Sequence, residues 1–148
     1  MPMRMTTRGR YGVRLMVALA LNYGNGTSLL REVARREGIS EKYLGQIILP
    51  LKGAGLVVSQ RGSRGGYALA RPPETITVKD VVEAIEGRIA AVLCADDPQA
   101  CARATSCAAT RVWRKLSEDI ERSLSSFSLA ALARQARELA AAQADYQI

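Results

Sequence analysis

Cys94, Cys101 and Cys107 carry the softest donor atoms in the chain, and they fall within one short segment in the pattern C-x6-C-x5-C. That spacing is wider than the C-x2-C pairs of common zinc modules and compact ferredoxin clusters. Three readings stay open: a metal or iron–sulfur cluster held by three thiolates and one further ligand, a redox-sensing thiol, or incidental cysteines. A disulfide uses two of the three and leaves one sulfur over. The chain has no histidine, which excludes Ser–His and Cys–His nucleophiles and histidine-based zinc hydrolysis. Its carboxylates are scattered, and no acid–base pair stands out from ordinary surface charge, so an enzyme is not expected. The glycine-rich "RGSRGG" lacks a GKT or GKS ending and a strand–loop–helix setting, so it is not a phosphate-binding nucleotide loop.

The elements that must position these cysteines begin with the charge. A chain of 148 residues suits one domain, or a small domain with an added pairing element. The formal charge of +7 is unevenly placed: residues 1–71 hold twelve Arg and Lys against three Glu, and residues 72–148 hold nine against eleven acidic residues. A basic first half suits a polyanion or an anionic membrane surface. The apolar run "YGVRLMVALALNYG" is broken by Arg14 and is too short to span a bilayer, and no cleavable signal is evident. The expectation is a cytoplasmic protein with no membrane partner, in a compartment where clustered cysteines are metal-binding or redox-active.

Apolar periodicity predicts a first helix over Arg8–Asn22, with Thr7 as its cap and "NYGNGT" as its stop. Ser28 is expected to cap a second helix, "LLREVARREG", that ends at Gly38. Ser40 is expected to cap a third, "EKYLGQIILPLKGAG", burying Leu44, Ile47, Ile48 and Leu51, with Pro50 bending it or shortening its last turns. "GLVVSQRGSRGGYALARP" then reads as a hairpin with Arg61 and Arg64 at its tip. Thr77 and Asp80 open a fourth helix in a near capping box, and Gly87 closes it. The cysteine segment reads as a loop with a turn of helix. From Thr110, Val112, Trp113, Leu116, Ile120 and Leu124 form one apolar stripe, and Ser128 is expected to cap a last short helix, "LAALARQARELAAA".

Two helices about a tight turn followed by a hairpin predict a winged helix-turn-helix, mostly α with a small β-hairpin wing, plus a long C-terminal dimerisation helix. The expected divisions are residues 1–87 for DNA binding, 88–109 for the cysteine loop, and 110–148 for the dimerisation and last helices. The partners expected are double-stranded DNA and a second copy, paired through residues 110–125. Ser40, Glu41, Lys42, Tyr43 and Gln46 form the exposed start of the third helix. Gln46 suits adenine and Glu41 suits cytosine N4, while Lys42 and Tyr43 suit the backbone. Arg61 and Arg64 suit the minor groove, whose negative potential draws guanidinium groups. A protein-interaction adaptor that never binds DNA is the reading from another class.

"MRMTTRGRYGVRLMVALAL", "ISEKYLGQIILPLKGAGLVVSQRGSRGGYALARP", "ITVKDVVEAIEG" and the three cysteines, taken together and in that order, resemble the IscR-like (Rrf2-type) family of winged-helix bacterial regulators. The resemblance covers nearly the whole chain. It implies a dimeric repressor that pairs through the long helix and reads palindromic promoters with the third helix and the wing. It also implies sensing of iron–sulfur, redox or nitric oxide status, or of iron or cysteine supply, through a 2Fe-2S or 4Fe-4S cluster on Cys94, Cys101 and Cys107, with Arg61 as the wing arginine. The alternative is the same fold without a cluster, acting as a thiol-redox or partner-controlled regulator. Two departures stand out. The first cysteine gap is one residue longer than in the archetype, and Thr110 replaces the archetype's histidine ligand. Arg10 stands where nitric-oxide-sensing relatives carry an aspartate ligand from the opposite subunit. A cluster would then take another oxygen ligand, from Asp96, Asp97 or glutamates of a partner helix, or an exogenous thiol or water.

Overall fold

The computed structural model describes residues 5–147. Helices α1 (Thr7–Leu21), α2 (Leu30–Glu37) and α3 (Glu41–Gly53) precede strands β1 (Val57–Gln60) and β2 (Gly66–Leu69), and α4 (Val78–Glu86) follows the hairpin. One turn of helix, α5 (Leu93–Asp96), lies in the cysteine segment, and two long helices, α6 (Ala108–Ser125) and α7 (Leu129–Tyr146), complete the chain. The architecture is the expected one, largely helical with a two-stranded antiparallel hairpin.

Local chemistry sets most boundaries. The hydroxyl of Thr6, one residue before the expected Thr7, caps α1 by accepting from the Gly9 N–H at 3.1 Å. Ser28 does not cap α2, which starts after Leu29 with no side-chain cap. The wing claims Ser28 instead: its N–H donates to the Tyr67 carbonyl and its carbonyl accepts from the Tyr67 N–H, both at 2.8 Å. A side chain at Gly66 would collide with the Ser28 backbone, so glycine there permits the approach. Gly38 adopts φ 66°, the left-handed turn that reverses the chain between α2 and α3. Ser40 caps α3 as expected, accepting from the Tyr43 N–H at 3.3 Å. Pro50 does not shorten α3: it lacks the N–H that would reach the Gln46 carbonyl, yet the helix runs on to Gly53, and the Ala54 N–H bonds the Pro50 carbonyl at 3.0 Å.

The hairpin pairs Val57 with Leu69 and Gln60 with Gly66, so residues 61–65 form its tip. Its base is buried through Val57 and Leu69. Beneath it lies one core, built by Leu15, Met16 and Leu19 of α1, Val33 of α2, and Leu44, Ile47, Ile48 and Leu51 of α3. Ile76 and Val81 close one side, where Thr77 and Asp80 form a complete capping box for α4.

The last helix returns to this core. Leu129 (0 % exposed) and Ala133 lie within it, and the Leu129 N–H bonds the Ile76 carbonyl at 2.9 Å while the Val78 N–H bonds the Phe127 carbonyl at 2.9 Å. From Arg137 onward α7 is exposed on every side. The outer helix α6 is unevenly covered. Thr110 and Ser117 are its buried residues, and Ser117 accepts from the Ala91 N–H at 2.9 Å while donating to the Trp113 carbonyl at 2.8 Å. The apolar stripe is only partly satisfied: Leu116, Ile120 and Leu124 are half-buried, and Val112 and Trp113 are 58 % and 38 % exposed. Among the described residues no helix is long and apolar enough to cross a membrane.

Candidate DNA-binding face and cysteine segment

The start of α3 projects from the module. Ser40, Glu41, Lys42 and Gln46 are exposed, and Tyr43 is half-buried. Tyr43 is held edge-on against Tyr11, with ring centroids 5.9 Å apart and planes at 88°, a favoured aromatic geometry. The Arg14 guanidinium lies 5.5 Å from the centre of the Tyr11 ring and pairs with the Glu37 carboxylate at 2.9 Å. Through these four side chains α1 braces both the end of α2 and the start of α3. Thr7, Tyr11, Ser40, Lys42, Tyr43 and Gln46 line an open cleft of about 570 Å³ beside that start.

The wing is fastened to the same body. Lys52, near the end of α3, donates to the Ser59 hydroxyl on β1 at 2.7 Å. The Thr27 hydroxyl donates to the carbonyls of Arg64 at 3.0 Å and Gly65 at 3.2 Å. Arg61 and Arg64 are thus exposed on a tip whose backbone is anchored. The structure places all seven residues expected to meet DNA on these two fixed elements. Sequence reading missed the brace of Tyr11, Arg14 and Glu37, and no local signal reveals it, because Arg14 and Glu37 are 23 residues apart.

The cysteines are arranged differently. Cys94 lies in the single turn α5, Cys101 is exposed in the turn that follows, and Cys107 stands immediately before α6. The backbone N–H and then the hydroxyl of Thr110, followed by the Ala109 N–H, hold the Cys107 thiol below its ordinary range, because donors at a helix start stabilise a thiolate. Asp96 pairs with Arg88 at 3.0 Å, and Asp97 accepts from the Gln99 N–H at 2.9 Å. Among the described residues no three Cys, Asp or Glu side chains converge to hold a metal ion. The donor set for an iron–sulfur cluster is right in kind, but as arranged it does not fit one. The sulfurs do not gather, Thr110 is buried beside Cys107, and both nearby aspartates are already engaged.

A helix pair reversed at Gly38, a projecting helix braced from behind and an anchored hairpin tipped with arginines make a winged helix-turn-helix, the class of fold with which regulators of transcription meet duplex DNA. Residues 5–135 match the family described as Rrf2, iron-dependent transcriptional regulator, and the chain belongs to that family. It is 38 % identical to protein rrf2 of Nitratidesulfovibrio vulgaris over 134 residues, covering 90 % of this chain and 89 % of that one. The solved structure of CymR, the global cysteine regulator of B. subtilis, superposes with a TM-score of 0.75 at 34 % identity, covering 90 % of this chain and 98 % of that one. T. potens IscR gives the same TM-score at 37 % identity, covering 93 % and 90 %. This is a family of DNA-binding regulators rather than enzymes.

Proposed function

We propose that the chain is a homodimeric, sequence-specific repressor acting in the cytoplasm, whose cysteine segment carries its signal. Ser40, Glu41, Lys42, Tyr43 and Gln46 enter the major groove of a palindromic promoter, and Arg61 and Arg64 enter the flanking minor groove. The observation carrying this reading is that the polar start of α3 and the arginine tip are locked into one body, by Tyr11 on one side and by Thr27 and Lys52 on the other. Dimerisation through α6 is supported by Val112 and Trp113, large apolar side chains left in water on an otherwise amphipathic helix. Two-fold pairing sets the reading heads one helical turn, about 34 Å, apart.

The cysteine segment joins α4 to α6, so a change in it moves the pairing helix relative to the reading module and alters how well both heads reach their grooves. The family likeness favours an iron–sulfur cluster, 2Fe-2S or 4Fe-4S, on Cys94, Cys101 and Cys107, which the segment would have to rearrange to hold. A thiol switch is the second reading, favoured by the lowered Cys107 thiol and the exposed Cys101. Anaerobic purification decides between them. Brown protein with iron and acid-labile sulfide, lost on replacing any of the three cysteines, supports the cluster; colourless protein whose mobility shifts reversibly with oxidant supports the thiols. DNA binding itself is tested by fluorescence anisotropy on promoter fragments against random duplex. A lone monomer with no preference between them, in any thiol or iron state, overturns the proposal.

A further inference from the structure

The basic excess of residues 1–71 is larger than the expected DNA contacts use. Lys42, Arg61 and Arg64 account for three of its twelve cations. Arg14 and Arg71 are spent on Glu37 and Asp80, and Lys52 is bonded to Ser59. Three more sit on the two-turn helix α2, as Arg31, Arg35 and Arg36, all exposed and in no ion pair among the described residues.

Helical geometry divides them. Val33 and Ala34 face the core, which places Arg31 and Arg35 on one outer flank and Glu32 and Arg36 on the other. Glu32 and Arg36 line a cleft of about 190 Å³ with Asn22 and Thr27, so that flank is balanced and turned toward the α1–α2 loop. The Arg31–Arg35 flank carries two cations one turn apart, about 5–6 Å, with no acidic partner. The start of α2 lies beside the wing, because Ser28 pairs with Tyr67, and its end leads through Gly38 to the cap of α3. Helix α2 therefore runs from the wing to the start of α3, and its Arg31–Arg35 flank is the one turned away from the α1–α2 loop.

We propose that Arg31 and Arg35 form a backbone clamp, holding phosphates of the strand between the groove read by α3 and the one entered by the wing. The clamp rests on the DNA-binding reading above and adds a division of labour to it: α3 and the wing discriminate sequence, and α2 grips without discriminating. Gln is nearly as good a helix former as Arg, and both sites are exposed, so Arg31→Gln and Arg35→Gln leave the fold intact.

The test is a salt titration of affinity, on a cognate promoter fragment and on a scrambled duplex, for the full-length protein, the double variant R31Q/R35Q, and R36Q as the control on the balanced flank. The double variant should lower the steepness of log K against log salt by about 0.9 for each phosphate no longer neutralised, about four phosphates in a dimer. It should weaken both duplexes by the same factor and leave their ratio unchanged, while R36Q keeps the wild-type slope. An unchanged slope in R31Q/R35Q, or an equal fall in R36Q, overturns the clamp while leaving the DNA-binding reading standing. A wild type that binds neither duplex overturns both.

Discussion

The reading module and the cysteine-bearing half of the chain are built to opposite standards. In the module, caps at Thr6, Ser40 and Thr77 open three helices, one apolar core joins them, and side chains on three helices and the hairpin fix the candidate DNA-binding face. Beyond Gly87 the chain becomes sparse: α5 is a single turn with no buried residue, α6 buries only Thr110 and Ser117, and α7 is free of neighbours for its last turns. The contact surface proposed above, with seven side chains in one register, requires rigidity, because a hydrogen bond to a base edge does not survive a shift of even an ångström or so. A segment with the sensing role proposed above requires room to rearrange. The contrast is one of packing: stability is concentrated in the module that carries the helix-turn-helix and the hairpin, and the cysteine segment contributes little to it.

Mutation sharpens this contrast, with the largest effect at the one place where the second half enters the core. Leu129→Ala should destabilise the protein by about 2–5 kcal/mol, measured by chemical denaturation, whereas Leu139→Ala, on the free part of the same helix, should change stability by less than about 0.5 kcal/mol. Equal losses would show that the distal helix is packed after all. Arg61→Ala should weaken specific promoter binding by about 1–3 kcal/mol if the guanidinium reads a base edge, seen in anisotropy titrations, and should leave the melting temperature unchanged. Thr77→Ala should cost about 1 kcal/mol through loss of the capping box, measured in the same denaturation series. The smallest effect belongs to the cysteine segment. Thr110→Val removes one donor to Cys107, so the pH profile of Cys107 alkylation, followed by mass spectrometry, should move to higher pH with stability nearly unchanged. A profile that stays in place would show that the hydroxyl does not hold the thiol down.

The module was legible in the sequence because its signals are local. Ser40 and Gly38 mark the turn between α2 and α3, and Thr77 with Asp80 marks α4, each through a bond that spans at most a few residues. The misreadings arose where a distant partner competes. Ser28 has the chemistry of a cap, but the β2 strand takes its backbone, and nothing near Ser28 announces Tyr67. The expectation that Pro50 shortens α3 fails as well, since the helix runs on to Gly53 with Leu51 buried in the core. The site showed the same split. The elements that carry the seven candidate residues, a helix start and a hairpin tip, could be placed from local signals. The brace of Tyr11, Arg14 and Glu37 could not, because its members meet only in three dimensions. The cysteines were visible as a group, but spacing alone says nothing about whether their sulfurs converge.

The burial of Leu129 has a consequence for how the molecule is made and moved. Residues of α1 and α7 share a single core, so the module that carries the hairpin is complete only once Leu129 and Ala133 have joined it. Helix α6 is strung between α4 and α7, both rooted in that core. It is tethered at both ends, so under the sensing role proposed above a change in the cysteine segment would reach it as a bounded displacement.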